Sequence, residues 1–348
     1  MGKTIKIILL IILICMVLLV GGCFVILGIM NHRNDNYWKY TETKGEIETK
    51  YTALGTYEVS TVEWNADGKA WQKYEVWYPS ELKEGNDTYP LVIMANGTGV
   101  KASQYREVFR HFASWGFIVV GNEDENSRTG ESSAAALDFM LGLNEDKSSD
   151  FYGKIDTDNI GIAGHSQGGV GAMNAVTEQA NGNLYQAIWT ASTISRYHAG
   201  ELNKSAGGWS CAPSEINIPC FMVAGTKDFD AGNVYEYTVG ELAEGSAQGI
   251  CPLWWLDECY NTIPGGVDKV IARRVNADHG DMLHSADGYM TAWFMYWLKG
   301  DTEAGKAFFS ENAEILTNSN WQDIKVDGRS NRYEYRMDTL PCLQQQNS

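Results

Sequence analysis

Short apolar segments alternate with longer segments of helical periodicity through most of the chain. An alternation of apolar and polar positions is typical of half-buried strands, and apolar residues at intervals of three and four are typical of helices. We predict strands over 58–64, 71–78, 91–95, 116–120, 159–163, 187–191, 220–224 and 269–275, and helices over 103–114, 134–143, 168–178 and 285–298. The first two strands are predicted to pair antiparallel. The later alternation of strands with helices predicts an α/β fold with a mostly parallel central sheet and helices on both faces.

The N-terminus has a different pattern. Residues 7–30 are apolar and uncharged, and Lys3 and Lys6 precede them. At ~1.5 Å per residue this run can cross a ~30 Å hydrocarbon layer. We therefore predict a signal-anchor within 1–30, a single transmembrane helix that leaves the rest of the chain outside the cytoplasm. A cleaved signal peptide that gives a secreted protein, and a lipoprotein anchored at Cys23, are the alternatives.

Composition divides the residues after the N-terminal run into three segments, and the net charge argues against one class of partner. Residues 31–55 are polar and are predicted to form a juxtamembrane linker, 56–326 a single α/β domain, and 327–348 a C-terminal tail. The formal net charge is −17. A nucleic-acid partner needs a basic footprint, so this charge argues against one.

A glycine-rich turn follows the predicted strand 159–163. Its sequence, Gly164-His165-Ser166-Gln167-Gly168, matches Gly-x-Ser-x-Gly in the strand–turn–helix context that a nucleophile elbow requires. Small residues on both sides allow a sharp turn that projects the serine hydroxyl. The following helix directs its N-terminal amides at the site, which favours developing negative charge. We predict Ser166 as the nucleophile and His165 as a residue that lines the substrate cleft.

A nucleophilic serine needs a base and a group that orients the base. In this architecture they follow in the chain order Ser, Asp or Glu, His. Asp228 comes just after the strand 220–224, and His279 comes just after the last predicted strand, as required for residues at the carboxyl edge of a parallel sheet. We predict Asp228 as the acid and His279 as the base, with Asp230 and His284 as the alternatives.

Such a serine also needs donors for an oxyanion. The backbone amide that follows the nucleophile, that of Gln167, is predicted to be one of them. The loop after strand 91–95 reads Asn96-Gly97-Thr98-Gly99 and is predicted to supply the other. We favour the amide of Thr98, with Gly99 as the alternative and as a further residue of the substrate site.

Five cysteines lie beyond the apolar N-terminal run, and an exported setting permits disulfides. Cys211, Cys251 and Cys259 lie in loop-like sequence and are candidates for bridges, as is Cys342. Cys220 lies within a predicted strand and is expected to be a buried thiol. The pairing stays open. The cysteines form no Cys-x-x-Cys pair and are accompanied by no histidine cluster, so no metal site is predicted.

These residues resemble the α/β-hydrolase superfamily, and within it the dienelactone hydrolase, chlorophyllase and cutinase-like polyester hydrolase group. The similarity spans roughly residues 57–324 and includes the segments 111–120 and 297–301 and Trp321. It implies hydrolysis of carboxylic esters without a metal or cofactor. The resemblance also implies a substrate-packing role for Trp189, because the polyester hydrolases carry a tryptophan there.

The chain departs from that group in three ways. Thr98 stands where polyester hydrolases usually have an aromatic residue, and Gln167 where they usually have methionine. Insertions rich in cysteine and tryptophan occupy about 197–218 and 235–265. We predict that Trp254 and Trp255, in the second insertion, wall or cap the cleft and select an apolar or aromatic group. A surface loop without a role in binding is the alternative.

The sequence thus predicts a membrane-tethered, extracytoplasmic serine hydrolase that cleaves a small-molecule or polymeric ester through an acyl-enzyme. A serine peptidase, and a thioesterase or lipase of the same fold, are the enzymatic alternatives. A membrane-tethered binding protein without catalysis is the alternative from a different class.

Overall fold

The structure, a computed structural model, describes residues 26–328 except 67, 239 and 241, together with residues 16, 20 and 22. The chain separates into two compact units, residues 1–41 and 42–348. In the first, the described part contains a helix over 26–34 and a 3₁₀ turn at Tyr37–Lys39. Most of the predicted anchor, with Cys23, lies outside the described residues, as does nearly all of the predicted tail. No helix within the described residues combines the length and apolar character that a membrane span requires.

The second unit is built on a nine-stranded sheet in the order β1-β2-β4-β3-β5-β6-β7-β8-β9. The six strands from β4 to β8 in that order pair parallel, whereas β1, β2 and β9 pair antiparallel at the two edges. The strands are β1 (Val59–Asn65), β2 (Lys73–Pro79), β3 (Tyr89–Ala95), β4 (Ile118–Asn122), β5 (Ile155–His165), β6 (Ala187–Ala191), β7 (Cys220–Gly225), β8 (Lys269–Arg274) and β9 (Trp321–Asp327). The predicted mostly parallel α/β sheet is confirmed, and β9 is a strand that the pattern analysis does not contain.

The α-helices of this unit include the four predicted ones and several shorter or inserted ones. They are α1 (Glu46–Thr52), α2 (Arg106–Ser114), α3 (Glu131–Glu145), α4 (Gln167–Thr177), α5 (Arg196–Ala206), α6 (Asp228–Ala231), α7 (Leu253–Thr262), α8 (Met282–Ser285), α9 (Asp287–Lys299), α10 (Thr302–Gly305) and α11 (Glu314–Thr317). Single 3₁₀ turns lie at Ser80–Lys83, Ala102–Gln104, Ser127–Thr129, Gly182–Leu184, Pro213–Glu215 and His279–Asp281.

Helices cover both faces of the sheet, and the alternation of side chains along each strand assigns residues to one face or the other. On one face α3, α4 and α7 pack on residues such as Ile162 and Ile188. On the other, α9 lies so close to β5 that a Cβ at Gly161 would overlap the ring of Phe294. Phe294 also contacts Phe112 of α2, with ring centroids 5.7 Å apart. The fold thus directs the loops at the carboxyl ends of β3, β5, β6, β7 and β8 to one edge.

Residues 42–55 belong to the second unit and are not part of a linker. Oxygens of the Glu314 carboxylate accept hydrogen bonds from the backbone N–H groups of Ile47 and Glu48 at 2.7 and 2.8 Å, and so cap α1. Glu48 is buried and accepts from Asn318 and from the indole N–H of Trp321. The prediction of a linker over 31–55 is therefore wrong for residues 42–55, because a polar segment can dock through its acidic side chains.

The cysteines predicted to form bridges are free thiols where the structure describes them. Cys211, Cys220, Cys251 and Cys259 are unbridged, and Cys342 lies outside the described residues. Cys251 and Cys259 are fully buried, and Cys211 Sγ lies 3.5 Å from Met173 Sδ. Burial raises the pKa of the Cys211 and Cys220 thiols to about 12. The expectation of disulfides among the described cysteines is wrong, because α7 and its neighbours pack these thiols into the core.

Candidate active site

The turn between β5 and α4 holds Ser166 in a strained backbone conformation. Its φ is 59° and its ψ is −122°, which a non-glycine residue rarely adopts. The glycines around it are required by contact: a Cβ at Gly164 would overlap the carbonyl of Gly168, and one at Gly168 would overlap that of Ala95. The backbone therefore has the geometry expected of a nucleophile elbow.

His279 lies against this serine. It begins the 3₁₀ turn His279–Asp281 that follows β8, and its Nε2 is 3.0 Å from Ser166 Oγ. The imidazole is largely buried, with 14% of its side chain exposed. The structure thus brings the two predicted residues Ser166 and His279 within hydrogen-bond distance.

The carboxylate beside His279 belongs to Asp230 and not to Asp228. Oδ1 of Asp230 lies 2.9 Å from Nδ1 of His279. Oδ2 accepts hydrogen bonds from Ser192 Oγ at 2.7 Å and from the Gly225 amide at 2.6 Å. Asp230 is fully buried, whereas Asp228 is exposed. The preference for Asp228 is corrected to the alternative, Asp230.

The loop after β7 explains this outcome. The amides of Thr226 and Lys227 both donate to the carbonyl of Ala277 at 3.0 Å, which ties the loop to the one that carries His279. Helix α6 begins directly afterwards, with Asp228 at its first, solvent-facing position. Two residues further along a helix the direction turns by about 200°, so Asp230 faces inward.

Asp278 connects the two loops a second time. Its Oδ1 accepts the backbone N–H of Asp230 at 3.0 Å and that of His279 at 2.9 Å. Asp281 Oδ2 in turn accepts the amide of Asp278. One half-buried carboxylate therefore fixes the backbone of both residues in the Asp230–His279 pair.

Backbone strain is concentrated at this edge of the sheet. Among the described non-glycine residues, five have positive φ, and three of these follow strands that carry the site: Ser166, Ser192 and Asn276. Ser192 has φ of 50° and donates to Asp230, and Asn276 donates its amide to Thr226. Such conformations persist only where surrounding contacts determine them, and they cluster at functional sites.

The backbone amides predicted to bind an oxyanion differ in whether they are already hydrogen-bonded. In the hydrogen-bonding pattern of the described chain, the N–H groups of Thr98 and Gln167 have no acceptor. The amide of Gly99, the alternative to Thr98, donates to the carbonyl of Glu125 at 3.1 Å. Of the predicted donors, Thr98 and Gln167 therefore have amides without an acceptor, whereas the amide of Gly99 is already hydrogen-bonded.

The loop that carries Thr98 is held from both sides. The buried amide of Gly97 donates to Tyr105 Oη at 3.0 Å, and burial raises the pKa of Tyr105 to about 12, so its phenol stays neutral. Nε2 of the Gln167 side chain donates to Thr98 Oγ1 at 3.1 Å and to the Glu125 carbonyl at 3.2 Å. A side chain beside the nucleophile thus positions the opposite donor loop.

His165 contacts the imidazole of His279 from the side. Its Nε2 donates to the carbonyl of His279 at 2.9 Å, and the two ring centroids are 4.8 Å apart. Burial, aided by neighbouring His279, lowers the pKa of His165 to about 4. The other candidate base, His284, lies 3.0 Å from Glu107 Oε1 and not at the serine.

The three predicted tryptophans lie in two different parts of the fold. Trp189 is fully buried and pairs in register with Phe221, whose ring contacts Trp293 of α9. It therefore points into the core beneath α9, and its expected contact with substrate is wrong. Trp254 and Trp255 lie on α7, with ring centroids 6.2 Å apart, and Trp254 donates to Gln248.

The sequence of the chain matches the model of a known protein family. A family model described as PETase, PET hydrolase-like, matches residues 42–234, more than half of the chain. The chain belongs to this PET hydrolase-like family. The match includes the elbow and Asp230 and begins where the second compact unit begins. The predicted resemblance to cutinase-like polyester hydrolases is confirmed.

Curated relatives of this PET hydrolase-like protein are named as cutinases and as a bis(hydroxyethyl) terephthalate hydrolase. It is 25% identical to cutinase est1 of Thermobifida alba in an alignment of 235 residues that covers 65% of each chain. It is 30% identical over 229 residues to a bis(hydroxyethyl) terephthalate hydrolase of Streptomyces coelicolor, 64% of this chain and 60% of the relative. In both cases the chain spans less than two thirds of the relative's length.

The sequence analysis misses several residues of this PET hydrolase-like site. Ser192 directly follows a strand, as the predicted residues do, and this position is the sequence signal that could have identified it. Phe229 is 62% exposed and contacts the His279 ring edge-on at 5.4 Å, which only the folded loop reveals. Tyr105 and Asp278 act through backbone groups, so no pattern marks them. Among the described residues, no cluster of three or more His, Cys, Asp or Glu side chains could hold a metal ion.

Proposed function

We propose that this protein is a serine hydrolase of carboxylic esters in which Ser166 is the nucleophile, His279 the general base and Asp230 the orienting acid. The observation that carries this proposal is the continuous hydrogen-bonded series from Ser166 Oγ through His279 to Asp230, at 3.0 and 2.9 Å, on a strained elbow. Family membership and the esterase names of the relatives support the same class of reaction.

The proposed reaction has two halves. His279 Nε2 accepts the proton as Ser166 Oγ attacks the ester carbonyl, and it then donates that proton to the departing alkoxide. A water molecule, deprotonated by His279, hydrolyses the acyl-enzyme and restores the serine. Asp230 holds the Nδ1–H tautomer of His279 and stabilises the imidazolium, while the amides of Gln167 and Thr98 bind the oxyanion.

The proposed substrate is a small or polymeric carboxylic ester. The relatives are named cutinase and bis(hydroxyethyl) terephthalate hydrolase, and these names describe activities of those proteins. The site described here contains the groups that ester cleavage requires, and the proposal calls for neither a metal nor a cofactor.

The test is hydrolysis of p-nitrophenyl acetate and bis(2-hydroxyethyl) terephthalate by the full chain and by Ser166→Ala. Turnover is expected in the wild type and a loss of several orders of magnitude in the variant. Ser148→Ala, at an exposed serine outside the series and outside the cavities of the fold, is the matched control. Equal turnover by Ser166→Ala, or none by the folded wild type, contradicts the proposal.

We also propose that residues 7–30 tether the enzyme to a membrane with its site outside the cytoplasm. The apolar run preceded by Lys3 and Lys6 supports this. The full chain is expected to stay in the membrane fraction after alkaline carbonate extraction, and a Cys23→Ser variant is expected to behave identically. Release of that variant would indicate a lipid anchor at Cys23, and release of the wild type would contradict tethering.

A further inference from the structure

A cavity of about 480 Å³ lies along helix α4, the helix that begins at the nucleophile elbow. Cavities of this size typically bind small organic groups. Its lining is mainly apolar and includes Val170, Ile194, Ala199, Trp209, Ala212 and Trp255. Most of these residues come from the two inserted segments.

Two residues of the cavity lining, Val170 and Ile194, are close to Ser166 along the backbone. Val170 follows the serine by one helical turn, a rise of about 6 Å. The amide of Ile194 donates to the carbonyl of Ser166 at 3.3 Å. The backbone of these two lining residues therefore lies within about one helical turn of the nucleophile.

The wall that contains Trp209 is fixed to the oxyanion side of the site. The Arg128 guanidinium lies over the Trp209 ring at 5.3 Å, and its Nε donates to the carbonyl of Gly207 at 3.0 Å. Nδ2 of Asn174, a buried residue of α4, donates to the carbonyl of Ser210 at 2.9 Å. This first insertion is thus held in place beside α4 by specific contacts.

The opposite wall is held by Arg196. Its Nε donates to Glu258 Oε1 at 2.6 Å, and its guanidinium lies 3.8 Å from the ring centroid of Tyr237 and 5.5 Å from that of Trp254. These contacts join α5 to the second insertion, which contains α7. Arg196 and Glu258 are the charged residues of the lining, and each neutralises the other.

We propose that this cavity binds an uncharged hydrocarbon group of the ester substrate and selects esters by the size of that group. The inference rests on the proposed function. In this mainly apolar lining the two charged residues are paired with each other, so a charged group would lose hydration there without gaining an unpaired opposite charge. Filling the cavity should therefore penalise long substrates and spare short ones.

The experiment fills the cavity from each wall with Ala199→Phe and Ala212→Phe in the full chain. One substrate series compares p-nitrophenyl octanoate with p-nitrophenyl acetate, and a second compares octyl acetate with ethyl acetate. In at least one series, both variants are expected to lower the long-to-short ratio of kcat/KM by about tenfold or more. The series that responds identifies the acyl or the alcohol side as the bound group.

Leu202→Phe adds an aromatic ring to the same helix at an exposed position outside the cavity and should leave both ratios within about twofold of wild type. Thermal unfolding verifies that each variant is folded, and two walls provide two independent variants. Ratios unchanged in both series overturn the proposal, as does a wild type that cleaves only short esters. Failure of the proposed function has a different signature, namely retention of acetate turnover by Ser166→Ala.

Discussion

Asp278 Oδ1 accepts the backbone N–H of Asp230 at 3.0 Å, and through the same oxygen it accepts that of His279 at 2.9 Å. The acid and the base come from different loops, after β7 and after β8. Their 2.9 Å contact therefore depends on how those loops are held together. A displacement of about 1 Å at such a pair can cost a hundredfold in rate.

Replacement of Asp278 by alanine is expected to lower kcat about tenfold with little change in KM, because the His279 amide loses its acceptor and the Asp230 amide keeps only the Lys227 carbonyl, at 3.1 Å. Asp278→Asn keeps an Oδ1 acceptor and should retain most of the activity. Steady-state kinetics on p-nitrophenyl acetate measures both. Wild-type kcat in the alanine variant would show that Asp278 does not position the pair.

Tyr105→Phe removes the acceptor of the buried Gly97 amide beside the oxyanion loop. We expect a loss of about 1–3 kcal/mol in the free energy of unfolding, since a buried donor is left without a partner. We also expect kcat to fall about tenfold as the Thr98 loop loosens.

Urea unfolding and steady-state kinetics measure these two effects of Tyr105→Phe. Tyr152→Phe, at an exposed tyrosine, is the matched control and should change neither quantity. A Tyr105→Phe enzyme with wild-type kcat would argue against a role for this hydrogen bond in catalysis.

His165 makes the stability depend on pH. Its pKa is about 4 in the fold, against an ordinary value near 6.5, because burial disfavours the charged ring. Below about pH 6.5 the unfolded chain binds a proton that the folded chain refuses, so stability falls as pH falls towards 4.

Between pH 7.5 and pH 5 the wild type should lose up to about 2 kcal/mol more than His165→Gln in the free energy of unfolding. Urea denaturation at the two pH values gives this difference, and the variant corrects for every other titrating group. Parallel losses in the two proteins would exclude a contribution from His165.

The nucleophile and the base could be predicted from the sequence because local patterns determine their positions. Ser166 lies in a motif whose glycines are required by short contacts, and His279 follows the last parallel strand. The alternation of strands and helices likewise predicts a mostly parallel sheet, since parallel strands need helical crossovers.

The acid could not be chosen from the sequence. Asp228 and Asp230 both follow β7, and hydrogen bonds to Ala277, distant in sequence, decide which of them faces inward. The prediction that Trp189 contacts substrate is wrong for a similar reason. The register between β6 and β7 determines the face of the sheet on which Trp189 lies. Helices α5 and α7 are not among the predicted helices. They belong to insertions whose packing depends on contacts between residues distant in sequence, such as that of Arg196 with Glu258.

The measurement that separates the two acidic residues is kcat/KM for p-nitrophenyl acetate in Asp230→Asn beside Asp228→Asn. Asp230→Asn should reduce it by about 10⁴, because the asparagine cannot hold the required His279 tautomer. Asp228→Asn alters an exposed carboxylate and should stay within about twofold of wild type. A large loss in Asp228→Asn with near-normal turnover in Asp230→Asn would contradict the triad of Ser166, His279 and Asp230.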